Sequence, residues 1–414
     1  MDIISDLSLR SGSPWIISAK ISGYRIAALV KRPAMKSILI LLHCESNTGY
    51  AIGPLERTFY DMAEVLCDHD ASRIHFAYPS MRKGPSPTLP VDFNQYTIID
   101  AKSTDVNHGL AAAQYIRAHD VDTVFGFDQP VHRPIYKYFR RGGVRHFISY
   151  WGAPMSSMNN WAIRLVKRMG VSLRPNGPNH YVFESRGMGE LAIKGRGIPS
   201  RKVSVVPLGI DSDEFRPAAS DAPYVYECMG IPRQRRIFFY SGHMEPRKGV
   251  AVIMRAANRL SDSRGLDDWH ILLCGNKGDE CHQYERMLTD PARTRVTFGG
   301  YRSDLEVLCR GCYAALIMST GWDSFPRSGL EVQASGLPLI VSDLKGINES
   351  VQDGVTGLIL RAGDAAALAS AMSRLLDDPA WRDHLSLRAR SRIENEFTIT
   401  KQLSALTDVV RRVV

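Results

Sequence analysis

The feature that most constrains this chain is an alternation, repeated twice along its length, of short apolar runs with amphipathic helical patterns. Apolar runs of this kind suit strands buried on both faces, and the helices between them supply the crossovers of a parallel sheet. In the first half, "SILILLH", "RIHFAYP", "VDTVFGF" and "RHFISYW" read as strands and "GPLERTFYDMAEVLCDH" as a helix, with "PSMRKGPSPTLP" a Pro-rich loop. "KVSVVPLGIDSDEFRP" reads as a last strand with a crossing segment, and "AASDAPYVYECMGIP" as a polar linker. A second series follows: strand "RIFFYSG", helix "GVAVIMRAANRL", strands "HILLCG" and "VTFGG", helix "DLEVLCRG", strand "AALIMST", helix "SGLEVQASG" and strand "PLIVSD". The turn-rich "KGINESVQDGVTG" leads to the helices "DAAALASAMSRLLDD" and "PAWRDHLSLRARSRIENEF". The expected fold class is α/β, with two doubly wound domains facing across a cleft, the usual ligand site of such folds. A length of 414 residues exceeds one ordinary core and agrees with two. Residues 1–35 precede the first assignable strand and are left unplaced.

Charge narrows the partners. The formal net charge is +9, and residues 133–202 carry 14 basic side chains against only Glu184 and Glu190. A one-sided field of this kind favours an anionic partner such as a lipid surface, nucleic acid or phosphorylated substrate. The apolar runs fall short of the ~18 residues needed to cross a bilayer, and Asp2 and Asp6 stand where a secretion signal would be positive. The expectation is a cytoplasmic protein that touches a membrane, if at all, peripherally at its inner face. Seven cysteines, an odd number, fit a reducing compartment. Cys309 and Cys312 form a CxxC without a second pair nearby, inside "LEVLCRGCYAALIM", and read as core packing.

Two stretches carry chemistry. "YSGHMEPRKGVAVIMRAA" sets Arg247 and Lys248 before a helix starting near Gly249. Strand, basic loop and helix start together favour an anion, because unsatisfied N–H groups and the helix dipole add to the cations; a solvated basic loop is the plainer alternative. "STGWDSFPRSGLEVQASG" repeats that geometry, with Asp323 in the loop and Glu331 in the helix. Beside Leu330, Val332 and Ala334, Glu331 needs a hydrogen-bonding partner, since a lone buried carboxylate is costly. Gly275-Asn-Lys-Gly278 lacks the spacing of a dinucleotide fingerprint.

Taken in order and spacing, "VSVVPLGIDSDEFRP", "YSGHMEPRKG", "GWDSFPRSGLEVQASGLPLIVSDLKGINESVQDGVTGLIL" and "DDPAWRDHLSLRARSRIENEF" resemble the retaining, nucleotide-sugar-dependent glycosyltransferases of family 4 (glycosyl transferases group 1). The resemblance covers about residues 180 to 400. It implies the GT-B fold, with an acceptor-side domain over 1–207, a linker over 208–235 and a nucleotide-sugar domain over 236–390. A C-terminal helix over 391–414 then packs back on the first domain. Glu331 matches the family's ribose-holding Glu, and Asp323 stands where an acid, usually Glu, meets the donor sugar. Backbone groups of Ser324, Phe325, Pro326 and Arg327 would meet sugar hydroxyls or phosphate. Lys248 matches the Lys of the diphosphate-gripping pair, while His243 occupies the usual Arg, with Arg247 as the replacement for its charge. Gly300 and Tyr301 fall where the base docks. In the first half, "SNTGYAIGPLERTF" resembles the glycine-rich loop near the donor phosphates, through Gly49 and Gly53, though a plain turn explains them almost as well. A family His is missing: Tyr150, Trp151 and Gly152 stand in its place, and Asp128 in "FGFDQP" is the candidate substitute. Asp211-Ser-Asp213 lies in the interdomain signature, so it is not taken as a metal motif.

The reaction so implied moves a sugar from a nucleotide diphosphate donor to a hydroxyl, with no metal or other cofactor, in assembling a polysaccharide, lipopolysaccharide or other glycolipid. Expected partners are the nucleotide sugar, a glycan or lipid-linked acceptor, and an anionic membrane surface through 133–202, but not nucleic acid. In "NNWAIRLVKRMGVSLR", Trp161, Leu165 and Met169 form an apolar stripe beside Arg164, Lys167 and Arg168. That stripe suits a membrane interface and core packing equally. The rival readings are an epimerase of the same fold, an inactive nucleotide-binding protein, and a basic nucleic-acid binder.

Overall fold

A computed structural model describes residues 16–21, 24–29, 35–49, 52–217, 223–264 and 267–414. Of the unplaced residues 1–35, it describes an antiparallel pair, β1 (Ile16–Ile21) and β2 (Tyr24–Leu29). The remaining strands form two parallel sheets. The first contains β3 (Ser37–Leu41), β4 (Ile74–Tyr78), β5 (Tyr96–Ile98), β6 (Val121–Phe127), β7 (His146–Trp151), β8 (His180–Phe183) and β9 (Val203–Val205). Its order is β5-β4-β3-β6-β7-β8-β9. The second contains β10 (Arg236–Ser241), β11 (Trp269–Cys274), β12 (Val296–Phe298), β13 (Ala314–Ile317), β14 (Leu339–Ser342) and β15 (Gly357–Leu360), ordered β12-β11-β10-β13-β14-β15.

Each order runs outward from its first strand, returns to that strand's other side and runs out the opposite way. Each sheet therefore has one switch point, between β3 and β6 and between β10 and β13, where the connections leave in opposite directions and open a crevice at the strands' carboxyl ends. The apolar runs fill these central positions: every residue of β3, β4 and β6 is buried. The shorter strands β5, β8 and β15 lack a run long enough to stand out in the sequence. Of the expected polar linker, residues 218–222 lie outside the described residues, while Pro223–Met229 is a helix that buries Val225.

The helices are set by capping and by one apolar face. Gly53–Leu66 has Pro54 in its first turn and buries Leu55, Phe59, Met62 and Ala63, the spacing of a single helical stripe. Asp364 and Asp378 cap the helices Ala365–Asp377 and Pro379–Glu396, accepting from Ala367 N and Trp381 N at 2.9 Å each. The second of these packs on the helix Arg327–Ala334, and so stays with the second sheet as far as Glu396. The chain then crosses back, and the helix Ile399–Val413 lies against Gly53–Leu66 of the first domain.

The two crossings between domains run side by side. Ile210 N donates to Phe397 O at 2.8 Å and Ile399 N to Ile210 O at 3.3 Å, while Gly209 N donates to Gln402 Oε1 at 2.9 Å. A Cβ on Gly209 would stand 2.4 Å from Thr398 O. One apolar core passes through this junction, joining Phe59 and Phe125 of the first domain, Leu406 and Val410 of the last helix, and Phe239 and Leu330 of the second domain. Gly209→Ala should therefore lower unfolding stability by about 1–3 kcal/mol, as overpacking does, measured by urea denaturation; an unchanged midpoint would mean that the crossings separate easily.

Candidate functional site

The second domain builds its half of the site from the loops after β10 and β13. After Ser241 the chain passes His243 and a short turn over Pro246–Lys248 before the helix Val250–Arg264. Gly249 makes the junction: its φ is +76° and a Cβ would lie 1.7 Å from Met318 O, so only glycine lets this loop reach the neighbouring one. The contact sets Lys248 Nζ 2.7 Å from Asp323 Oδ2. Ser319 Oγ also donates to Asp323 Oδ2 at 2.9 Å, and Ser324 N donates to Oδ1 at 3.0 Å. Arg247 stacks over Trp322 at 4.0 Å, donates to Trp322 O at 3.0 Å and stands 4.0 Å from Asp323 Oδ1. Beyond the loop, the helix Arg327–Ala334 starts at Pro326 with no side-chain cap, leaving its first-turn N–H groups without acceptors inside the helix. Glu331 is buried, and its Oε1 accepts from Arg327 Nε at 2.9 Å.

The first domain contributes the ends of β3, β6, β7 and β8. Asp128 follows β6 in a left-handed conformation, φ 51°. Its Oδ1 accepts from Gly152 N at 3.0 Å, and its Oδ2 lies 3.9 Å from His43 Nδ1. Burial pushes the Asp128 carboxyl up to about 7 and lowers His43 below its ordinary value. Glu184, directly after β8, is wholly enclosed; Tyr150 Oη donates to its Oε1 at 3.2 Å, and burial together with the Asp128 charge raises it to about 8.

These two halves enclose one cavity of about 640 Å³, a size suited to a small-molecule ligand. Of the residues singled out in the sequence, Asp128, His243, Arg247, Lys248, Tyr301, Asp323, Ser324, Phe325, Pro326 and Arg327 line it. Glu331 lies behind Arg327 and is not among the lining residues. Gly300 is also set back, its N–H donating to Asn276 Oδ1 at 3.0 Å. Gly49 has φ +103°, and a Cβ on it would stand 3.9 Å from the hydroxyl of Tyr301, so that loop reaches across to the second domain. Gly53 starts its helix with Thr88 packed close, an arrangement that serves the turn. Sequence reasoning passed over His43, Glu184, Lys277 and Arg302, which also line the cavity. His43 had a legible signal, since it follows the apolar run that becomes β3.

Asp211 is used locally: its Oδ1 accepts from Asp213 N and Glu214 N at 2.9 and 3.1 Å, closing a turn. Cys309 and Cys312 are both buried free thiols. Among the described residues, Cys281, His282 and Glu285 are the one group whose possible ligand atoms lie within 4.8 Å of one another, and none of them lines the cavity.

Because the Asp128 carboxyl is raised in the fold, to about 7, its proton is held more tightly there than in the unfolded chain. The fold therefore loses stability as pH rises from the ordinary carboxylate range to about 7. Asp128→Asn should melt higher than wild type at pH 8, with the gap closing toward pH 4, when melting temperature is followed against pH; a gap independent of pH would refute the raised carboxyl.

Residues 235–378 match the family model described as glycosyl transferases group 1. Over 223 residues the chain is 26% identical to the UDP-Gal:alpha-D-GlcNAc-diphosphoundecaprenol alpha-1,3-galactosyltransferase of Escherichia coli, covering 53% of this chain and 57% of that protein. It is 28% identical over 202 residues to a D-inositol 3-phosphate glycosyltransferase of Streptosporangium roseum, covering 47% and 46%. The matches thus span about half the length of these curated relatives. Likeness in fold runs further. A glycosyltransferase of Rickettsia africae superposes with a TM-score of 0.73 at 15% identity, over 91% of this chain and 98% of that one. Anabaena Alr3699/HepE in complex with UDP-glucose gives 0.69 at 17%, over 91% and 99%. Residues 235–378 thus resemble the group 1 glycosyltransferases in sequence, and the two parallel sheets share the fold of these solved glycosyltransferase structures.

Proposed function

We propose that the chain transfers a sugar from a nucleotide diphosphate sugar to a hydroxyl of a glycan or lipid-linked acceptor, with retained anomeric configuration and without a metal ion. The observation that carries this reading is the convergence of Lys248, Arg247, Arg327 and the start of the helix Arg327–Ala334 on one cavity, with Asp128 facing them from the other domain. As the sugar leaves, negative charge grows on the diphosphate oxygens. Cations and N–H groups already held in place stabilise that charge more than they stabilise the bound donor. The Asp323 carboxylate holds Lys248 ready at 2.7 Å. In this reading Arg327 turns to a phosphate when the donor enters, and Glu331 is released to the ribose hydroxyls. The base sits by Tyr301, over whose ring Lys277 lies at 5.2 Å. Asp128 meets the acceptor hydroxyl, and His43 at 3.9 Å supplies the imidazole that the family places elsewhere. The name of the Escherichia coli relative, which specifies UDP-Gal, supports a uridine diphosphate sugar as the first donor to try.

The acceptor reading rests on the helix Trp161–Ser172. Trp161, Leu165 and Met169 are 73%, 52% and 56% exposed, so this stripe faces solvent and does not pack into the core. Arg164 and Arg168 join Trp161 and Leu165 around one open groove, with Arg201 opposite. No helix among the described residues is long and apolar enough to cross a membrane. An apolar stripe flanked by cations instead lies in an anionic interface, which would hold the enzyme at the inner face of the membrane, close to lipid-linked acceptors.

A thermal-shift screen of nucleotide sugars, followed by product analysis with the best one, tests the reaction. Lys248→Ala should cost about 10²–10³ in turnover, and Glu331→Gln should abolish the shift; wild-type behaviour in both would remove the donor assignment. Vesicles containing phosphatidylglycerol should float the protein at low salt, and Trp161→Ser with Arg164→Ser should abolish flotation. Flotation that does not depend on those residues would place the membrane contact elsewhere.

A further inference from the structure

Glu184 takes no part in the donor contacts described above, yet it is enclosed between the domains at the edge of the site. Its carboxyl accepts from Tyr150 Oη at 3.2 Å, and Ser324, which lines the same cavity, stands close enough for its side chain to favour the ionised carboxylate. Tyr150 in turn accepts from Gln402 Nε2 at 3.4 Å, from the helix that returns to the first domain. Ser324 directly follows Asp323 in the loop that holds Lys248. One chain of polar contacts thus runs from the C-terminal helix through the first sheet to the donor loop. The surrounding backbone is packed too closely for these parts to drift. A Cβ on Gly346 would lie 3.2 Å from both Ser185 Oγ and Ser324 O, and one on Gly187 would lie 2.9 Å from Gly346 N. Glu349 closes the seam from the second domain, accepting from Arg186 N at 2.9 Å and Gly187 N at 2.7 Å.

We infer that Glu184 is a positioning residue for the transfer reaction, acting through Ser324 to fix the donor loop of the second domain against the Asp128 edge of the first. The inference rests on the proposed transferase reading and adds to it how the two half-sites are held in register. Such register matters because an error of about 1 Å between reacting groups costs on the order of 10²-fold in rate. The groups facing Glu184 are Asp128, which raises its pKa, and Tyr150, Ser324 and Arg327, which lower it; burial outweighs them, and the carboxyl is neutral up to about pH 8. A neutral acid can both donate and accept in this chain of contacts and adds no charge beside the donor diphosphate. Above that pH the ionised form repels both Asp128 and the diphosphate.

The test compares Glu184→Ala, Glu184→Gln, Ser324→Ala and the double variant Glu184→Ala/Ser324→Ala, using wild-type protein and its best donor from the nucleotide-sugar screen. Glu184→Ala and Ser324→Ala should each lower kcat about 10- to 100-fold with little change in donor KM, and the double variant should be no worse than the poorer single one. Glu184→Gln should match wild type at pH 7 and keep its activity at pH 9, where wild type declines. Additive losses, or a Gln variant as poor as the Ala variant, would overturn the proposal. Melting temperatures of wild type, Glu184→Ala, Ser324→Ala and the double variant without ligand give a second double-variant cycle, which needs no catalysis. If wild type transfers no sugar, the transferase reading falls by itself, while additivity in the melting cycle would separately remove the Glu184–Ser324 link.

Discussion

Everything in this molecule depends on where two parallel sheets reverse their strand order. In a parallel sheet all carboxyl ends lie along one edge, and at the reversal the flanking connections diverge, leaving backbone and side chains exposed in a crevice. Here the two reversals face one another. Asp128 follows β6 and His43 lies just past β3, while Lys248 lies beyond β10 and Asp323 beyond β13. A pocket with an acid on one wall and cations on the other follows from that arrangement before any particular ligand is considered.

The two walls differ in their electrostatics. On the second-domain side the charges nearest the loops are paired: Lys248 with Asp323, Arg327 with Glu331, Arg247 with Glu245. Pairing limits the cost of holding these groups in a partly dry site. On the first-domain side the carboxyls of Asp128 and Glu184 have no strong cationic partner, so burial dominates and both are raised toward or past neutrality. Groups poised in that way are suited to exchanging or holding a proton. The division matches the proposed chemistry, with charge stabilisation at the donor and proton handling at the acceptor.

Much of this was legible in the sequence, for stated reasons. Central strands are uninterrupted apolar runs because both of their faces are covered, so β3, β4, β6, β7, β10, β11, β13 and β14 could be read directly. Peripheral strands such as β5 and β15 are only partly covered, so most of their residues stand half-buried and form no long uninterrupted apolar run that marks them. Lys248, Asp323 and Arg327 could be singled out because a single loop and the adjoining helix start hold each of them. His43 and Glu184 were missed because their significance comes from partners about 85 and 140 residues away, Asp128 and Ser324.

By itself the amino-acid sequence determined the α/β class, the division into two parallel sheets, the family likeness of the second half, and the cationic and acidic groups beside its helix starts. Those properties are local: they depend on run length, periodicity and residues close together along the chain. Only the tertiary structure decided that Trp161, Leu165 and Met169 face solvent, that Glu331 sits behind Arg327, and that Asp128, His43 and Glu184 gather at one rim of the cavity. Each of these depends on how separate elements pack and on which groups lose their water, and those are settled by contacts between segments far apart along the chain.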